Sequence, residues 1–530
     1  MSNPNGESRA RRRTISIATT MTAIAFSSAW LAAAPCEATV ATAAVEGPIT
    51  GGTFGRPFGT SSDVDPAEYG YVEEEYFLSG EATTYEPAAG ATLGEDGHWS
   101  VVRTGTEPYR TRILVRRPTD PARFNGTVIV FWMNTSAGFD ISDFGVAQLM
   151  QRGFAHAFVS AQRQSVEGGD ILGNPGTLGL KDWDPERYGS LDVASTDLSF
   201  DIFSQAAQAV GPDRPVLPND PMNGLRVERT FAAGGSQSAG WLATYYDAVQ
   251  PLERVFDAFH ILFYFGRGNP LAEDVEMPPA LRFRTDLEAP VLVLNTENEA
   301  LAYEPSRQPD TDRFRLWEYA GLNHTGGTIG TERLNVYMER EFGFALPMPN
   351  CALPVDTIDS APIGSAGAVA VDEWIRTGEP PAALPRIELV TEPALAIERD
   401  ERGNALGGIR IPPVAVPTAT HGAPNGERAN IQCYLLGYEV PFTAAELRAL
   451  YPSFASYATR VRRSALEAER VGYLLPEDAR VYLDVDDPGL ASLLGCPALV
   501  PGGRVDAGRR SPSACLEPTR RTHVPMLRAP

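Results

Sequence analysis

A chain of 530 residues with 43% apolar residues can fill one large core with substantial additions around it, so disorder is not the expected state. Its formal net charge of -22 sets up a field that repels nucleic-acid backbones and anionic membrane surfaces; a small neutral or cationic substrate is easier to accommodate. Lysine occurs once, at Lys181, which excludes a G-x-x-x-x-G-K-[ST] phosphate loop and leaves a Schiff-base mechanism no other amine. There is no C-x-x-C and no H-E-x-x-H, so no metal site is expected.

The N-terminal segment has the three parts of an export signal: Arg9, Arg11, Arg12 and Arg13, an Ala-rich apolar stretch from Ile15 to Ala34, and small residues at Ala41-Thr42-Ala43. A signal peptide over 1–43 and a secreted, periplasmic or extracellular protein are therefore expected. The residues after Arg12-Arg13 fit a twin-arginine signal poorly, and Pro35 stands where a lipoprotein box ahead of Cys36 needs a small residue. A retained anchor is the alternative, against which Ser and Thr interrupt the apolar run. No later segment is long and apolar enough to span a bilayer, so no stable membrane insertion is expected after cleavage. Cys351, Cys433, Cys496 and Cys515 remain, an even number suited to two disulfides in any of three pairings.

Residues 45–70 are rich in Gly, Pro and Thr and read as an irregular entry, followed by short strands over Tyr71–Ser79 and Trp99–Thr104. Arg110–Arg117 alternates polar and apolar residues, as a half-buried antiparallel strand does. Continuous apolar runs then follow at Thr127–Phe131, Ala155–Ser160, Arg229–Ala233, Val291–Leu294 and Phe314–Tyr319. Helical patterns lie between them over Phe200–Val210 and Ala239–Val249, and another follows over Thr328–Phe342. Such runs suit strands buried on both faces of a parallel sheet, so the expected fold is α/β, with a mostly parallel sheet flanked by helices. The expected organisation is a core over 44–348 with an insertion at 160–195, an extension over 349–496 packing on it, and a tail over 497–530. Residues 349–420, rich in Pro and Ala, read as extended segments laid over the core; helix returns over Ala444–Tyr451 and Tyr457–Gly472.

The strand Thr230-Phe231-Ala232-Ala233 runs straight into Gly234-Gly235-Ser236-Gln237-Ser238-Ala239-Gly240 and a helix. A nucleophile elbow needs that context, with small residues two before and two after the serine; Gly234 and Ser238 meet this need. Ser236 is the expected nucleophile, and Ser238, flanked by Ser236 and Gly240, is the competing register. A serine hydroxyl needs a base, and His324 is placed for it, in the loop after the strand ending at Tyr319. His260, inside the run Phe259-His260-Ile261-Leu262-Phe263, reads as a core histidine; His98, His156, His421 and His523 lack comparable placement. The acid should follow the preceding strand, where Glu299 has the right spacing and Glu297 is the reserve. The order Ser, acid, His is that of α/β-hydrolases. Oxyanion donors are expected from the backbone N–H of Gln237 and from Asn134 or Thr135 in the loop after Val128–Phe131. The expected chemistry is hydrolysis of a small carboxylic ester through an acyl-enzyme, with no cofactor. The same residues would serve an acyltransferase or peptidase, and a binding protein on a hydrolase scaffold is the non-enzymatic alternative.

Several stretches together resemble the α/β-hydrolase domain family of large, mostly secreted bacterial proteins (Abhydrolase_10). They are Asn125-Gly126-Thr127-Val128, Asp184-Pro185-Glu186-Arg187-Tyr188-Gly189, Asp201-Ile202-Phe203-Ser204-Gln205, the elbow, Gln308-Pro309-Asp310-Thr311-Asp312-Arg313-Phe314, and Gly407-Gly408-Ile409-Arg410. The resemblance covers most of the mature chain and implies the fold and an esterase-like activity. The chain departs from the expected pattern in having Gly235 before the elbow serine and Glu299 where Asp is the commoner acid.

Overall fold

The computed structural model describes residues 40–60, 64–141, 146–169, 179–216 and 218–494. Most of the expected signal segment, Cys36, Cys496, and the tail with Cys515 and His523 lie outside the described residues.

Nine strands form one sheet in the order β1-β2-β3-β5-β4-β6-β7-β8-β9. They are β1 (Ala44–Glu46), β2 (Tyr71–Pro87), β3 (Val101–Pro118), β4 (Thr127–Trp132), β5 (Ala155–Val159), β6 (Arg229–Gly235), β7 (Ala258–Leu262), β8 (Val291–Asn295) and β9 (Phe314–Glu318). The pairs β1/β2, β2/β3 and β3/β5 are antiparallel, and every pair from β5 through β4 to β9 is parallel. The two stretches read as separate strands at Trp99–Thr104 and Arg110–Arg117 are parts of one long β3. The run holding His260 is β7, a central strand.

The continuous apolar character of the parallel strands follows from burial on both faces. Val128 and Val130 of β4 point into one core, with Phe203 and Val210 of helix α2 (Ser199–Val210) and Leu242 of α3 (Gln237–Thr244). Ile129 and Phe131 point into the other, with Leu149 of helix α1 (Val146–Gln151). That second core is closed by the C-terminal extension, through Ile363, Val371 and Trp374 of a helix over Ala361–Thr377 and through Ile411 and Val414. This 17-residue helix corrects the expectation of extended segments over 349–420. Gly364, Gly367, Ala368 and Ala370 thin the face of the helix, so its backbone lies against the sheet; a Cβ on Gly367 would sit 2.4 Å from His260 Nε2. Small residues, which blur a hydrophobic pattern, are what this packing needs.

In the extension, Ala419–Gly422 and Tyr438–Pro441 form a two-stranded hairpin, and Cys351 is disulfide-bonded to Cys433. No helix among the described residues is long and apolar enough to cross a membrane.

The interior holds a buried ion cluster and two buried histidines. Arg112 is fully buried on β3 and donates to Glu75 Oε1 at 3.0 Å, Asp140 Oδ2 at 3.2 Å and the Phe58 carbonyl at 2.7 Å. Arg187 bonds the other Glu75 oxygen at 2.7 Å, so two guanidinium groups and two carboxylates neutralise one another. His156 on β5 and His260 on β7 are buried, with pKa values pushed down to about 3 from the usual 6.5, chiefly by loss of solvation.

Breaking one partner out of a buried ion cluster leaves uncompensated charge. Arg112→Met is expected to cost about 3–5 kcal/mol in urea unfolding; a loss under about 1 kcal/mol would contradict this account. The two histidines stay neutral when folded and take a proton when unfolded below about pH 6.5. Stability is therefore full above that pH and declines as pH falls toward 3, with each histidine contributing a slope of up to about 1.4 kcal/mol per pH unit. His260→Asn should flatten the measured slope by one proton, and an unchanged slope would refute the assignment.

Candidate active site

The β6–α3 junction places Ser236 at the end of the sheet with φ 60° and ψ -117°. A non-glycine residue at positive φ is strained by roughly 1–3 kcal/mol and persists only where its surroundings fix it. They do so from several sides. Ser236 N–H donates to the Leu262 carbonyl at 3.0 Å, and Ala239 N–H donates to the Ser236 carbonyl at 3.1 Å. The Ser238 hydroxyl accepts from Gly235 N–H at 3.0 Å and donates to the Gly235 carbonyl at 2.9 Å. A Cβ on Gly234 would crowd the turn, lying 2.9 Å from Leu242 Cδ1 and 3.1 Å from Ser238 Oγ. Ser238 is thus fully buried and engaged with the backbone, while Ser236 is partly exposed.

His324 follows β9 through Ala320–Asn323, and its Nε2 lies 2.9 Å from Ser236 Oγ. Its Nδ1 lies 2.7 Å from Glu299 Oε1. Glu299 is fully buried near the start of helix α4 (Glu297–Tyr303), where its Oε2 accepts from both the N–H and the hydroxyl of Thr296 at 2.7 Å. This return contact is a capping-box interaction, so the need to satisfy a helix N-terminus also fixes the carboxylate beside the imidazole. Asn298 accepts from His324 N–H at 2.9 Å, and the rings of Phe263 and Phe265 pack on the imidazole with centroids 5.2 and 5.5 Å away.

Glu297 points elsewhere. Its oxygens accept from Gly321 N–H at 2.7 Å, Arg399 Nη2 at 2.7 Å and Ala423 N–H at 3.1 Å. Burial holds its pKa above the ordinary carboxylate value even though Arg399 opposes the shift. The reserve acid is therefore a brace between the histidine loop and the extension, and it does not reach the imidazole. Asn323 adds a second brace, donating to Asp356 Oδ2 at 2.9 Å.

The expected oxyanion loop lies beside the elbow. Asn134 Nδ2 donates to the Gly235 carbonyl at 3.0 Å, and the Asn134 carbonyl accepts from Ile141 N–H in an antiparallel bridge. Thr135 N–H makes only a long contact, 3.4 Å, with Gln237 Oε1. Gln237 begins α3, where its backbone N–H has no earlier carbonyl of its own helix to meet. Asp140 fastens the far end of the loop, accepting from Ser160 and Ser165 hydroxyls at 2.5 Å and from Arg112.

Sequence reasoning missed Asn298, Asp140 and Gln162, the last a buried residue after β5 that bonds the Met133 carbonyl and the Gln237 side chain. The Thr296-Glu297-Asn298-Glu299 spacing carried the capping-box signal that separates Glu299 from Glu297. Nothing local marks the other residues, which act through contacts distant in sequence.

Among the described residues, one group has metal-ligand types close together: Asp356, His421 and Glu439, with donor atoms within 4.8 Å. Asp356 already accepts from His421 Nδ1 at 3.1 Å, Ile358 N–H at 3.2 Å and Asn323. These three donors engage Asp356, which serves as a hydrogen-bonded prop under Asn323-His324.

No curated protein matches the sequence significantly. The chain is similar to a solved structure described as a dienelactone hydrolase from Klebsiella pneumoniae subsp. pneumoniae, at 15% identity over 46% of this chain and 85% of that one, with a TM-score of 0.22. It is also similar to esterase Est22, at 11% identity over 58% and 80% of the two chains and a TM-score of 0.26. For brefeldin A esterase, a bacterial homologue of human hormone-sensitive lipase, the identity is 12%, the coverage 49% and 74%, and the TM-score 0.25. A family model described as an alpha/beta hydrolase domain (Abhydrolase_10) matches residues 45–484, which span the whole sheet from β2 onward and most of the extension. The chain belongs to this α/β-hydrolase domain family and is a hydrolase of that fold.

Proposed function

We propose that the protein is an exported serine hydrolase that cleaves carboxylic esters of small molecules through Ser236, His324 and Glu299. One observation carries the reading: the unbroken run from Ser236 Oγ to His324 Nε2 at 2.9 Å and from His324 Nδ1 to Glu299 Oε1 at 2.7 Å. These distances are short enough for proton transfer without rearrangement.

In the proposed cycle, Ser236 Oγ attacks the ester carbonyl while His324 Nε2 takes the hydroxyl proton. Glu299 holds the Nδ1–H tautomer and stabilises the imidazolium. The tetrahedral oxygen is met by the backbone N–H groups of Gln237 and Thr135, the latter exchanging its long contact with Gln237 Oε1 for the stronger anionic acceptor. His324 then protonates the leaving alcohol, and water enters to release the acid by the reverse steps. Every bond made or broken uses groups already present, so the cycle calls for no cofactor. The expected export signal at the N-terminus and the Cys351–Cys433 disulfide support action in an oxidising compartment outside the cytoplasm.

A fluorophosphonate probe tests the nucleophile: the wild-type protein and Ser238→Ala should label, and Ser236→Ala should not. Labelling of Ser236→Ala, or none of the wild-type protein, would overturn the reading. On short-chain p-nitrophenyl esters, Glu299→Gln should lower kcat by about 10³- to 10⁴-fold, as loss of the orienting acid does elsewhere. Glu297→Gln should stay within about tenfold of wild type, in keeping with an indirect role. Comparable losses in the two variants would mean that the acid is misassigned.

A further inference from the structure

We infer that Gln162 is a positioning residue that sets the two halves of the oxyanion site relative to each other; this rests on the reading of Ser236 as nucleophile. Gln162 is fully buried just after β5, away from the elbow in sequence, and its side chain reaches both halves at once. Its Nε2 donates to the Met133 carbonyl at 3.0 Å and to Gln237 Oε1 at 3.2 Å. Its Oε1 accepts from Gln237 Nε2 at 2.6 Å and from the Thr135 hydroxyl at 3.1 Å.

The orientation of both carboxamides is fixed by these partners. The Met133 carbonyl can only accept, so it must face the amide nitrogen of Gln162. Gln162 Oε1 must then face Gln237 Nε2, which leaves Gln237 Oε1 toward Gln162 Nε2 and Thr135 N–H. The two side chains thus form a reciprocal amide pair, doubly hydrogen-bonded. Gln162 grips the loop both at residue 133 and at residue 135, and grips the elbow through the residue after the serine. The two proposed donors, the N–H groups of Thr135 and Gln237, are the backbone groups of the residues so held.

The pair does a second thing. Gln237 Oε1 is the acceptor that Thr135 N–H meets in the resting site, at 3.4 Å. Gln162 Nε2 competes for that same oxygen and, with the 2.6 Å bond to Gln237 Nε2, holds the carboxamide where its grip on Thr135 stays weak. An arriving oxyanion can then displace it. Without Gln162, the Gln237 carboxamide is free to close on Thr135 N–H, and the loop loses its tether to the elbow. Both effects act on the transition state and leave ground-state binding of the ester almost untouched.

The test uses the full-length protein with Gln162→Leu, Gln237→Leu and the double variant. Steady-state kinetics on a p-nitrophenyl ester are read beside thermal unfolding. Gln162→Leu should lower kcat by about 10- to 100-fold with KM within about twofold, the signature of a displaced donor. The double variant should lose no more than the worse single variant, because both act through one amide pair. An unchanged kcat would overturn the inference, as would a loss no larger than the fall in folded fraction, or single losses that multiply in the double variant. A wild-type protein inert to esters and to fluorophosphonate brings down the underlying reading of Ser236 and this inference with it. Full wild-type activity with an unaffected Gln162→Leu removes this inference alone.

Discussion

The backbone of Ser236, held at φ 60°, is the constraint around which the rest of the molecule is arranged. A side chain there is exposed at the end of the sheet because the chain reverses from strand to helix within one residue, and the strain of that reversal has to be offset nearby. The offset is local and polar. The Ser238 hydroxyl closes on both backbone groups of Gly235, Asn134 caps the same carbonyl from the neighbouring loop, and β7 supplies an acceptor for Ser236 N–H. Each of these contacts loses its geometry if Ser236 relaxes, so the strained conformation is the one that satisfies the most buried groups.

The imidazole is secured by a division of labour between two neighbouring glutamates. Glu299 spends one oxygen on the start of its own helix and the other on His324, so its position is set by the backbone of α4. Glu297, two residues earlier, faces away and ties Gly321 to Arg399 of the extension. The extension also pairs its Ile409 with Glu318 and Ala320 at the end of β9, and presents Asp356 to Asn323. The histidine loop is consequently built by two parts of the chain, and the extension is a component of the site's scaffold as well as the cover of the second core.

How far this could be read from sequence follows the range of the interactions. Local signals were legible: the strand-turn-helix run around Ser236, the parallel strands buried on both faces, and the position of His324 after the last strand. The choice between Glu299 and Glu297 was legible as a capping box, since Thr296 and Glu299 stand three apart at a helix start. The preference for Ser236 over Ser238 was legible only through the small Gly234 two residues before it, because which hydroxyl the turn exposes depends on how the turn folds. Helix Ala361–Thr377 was hidden by the small residues that let it approach His260. Gln162, Asp140 and Arg399 carry no local signature at all; their partners lie tens to hundreds of residues away.

These distant partners divide the site between two supports. The histidine side leans on the extension through Glu297 and Asp356. The loop after β4, which carries the proposed donor Thr135, leans on the antiparallel half of the sheet, because Asp140 anchors it to Arg112, and Arg112 is neutralised by Glu75 on β2. Burying that charge cluster carries a large desolvation cost that well-packed apolar side chains would avoid. Apolar packing, however, tolerates small sliding of one element on another, whereas hydrogen-bonded ions hold only in one geometry. In the proposed reaction, two N–H groups must meet an oxygen that exists only in the transition state, and that requirement gains from the second property more than from the first. Ser160 makes the connection concrete: its hydroxyl bonds Asp140 and accepts from Arg112, and two residues later the same segment ends in Gln162. The buried ions and the amide pair are therefore consecutive links of one chain of contacts running from β2 to the residue beside Ser236.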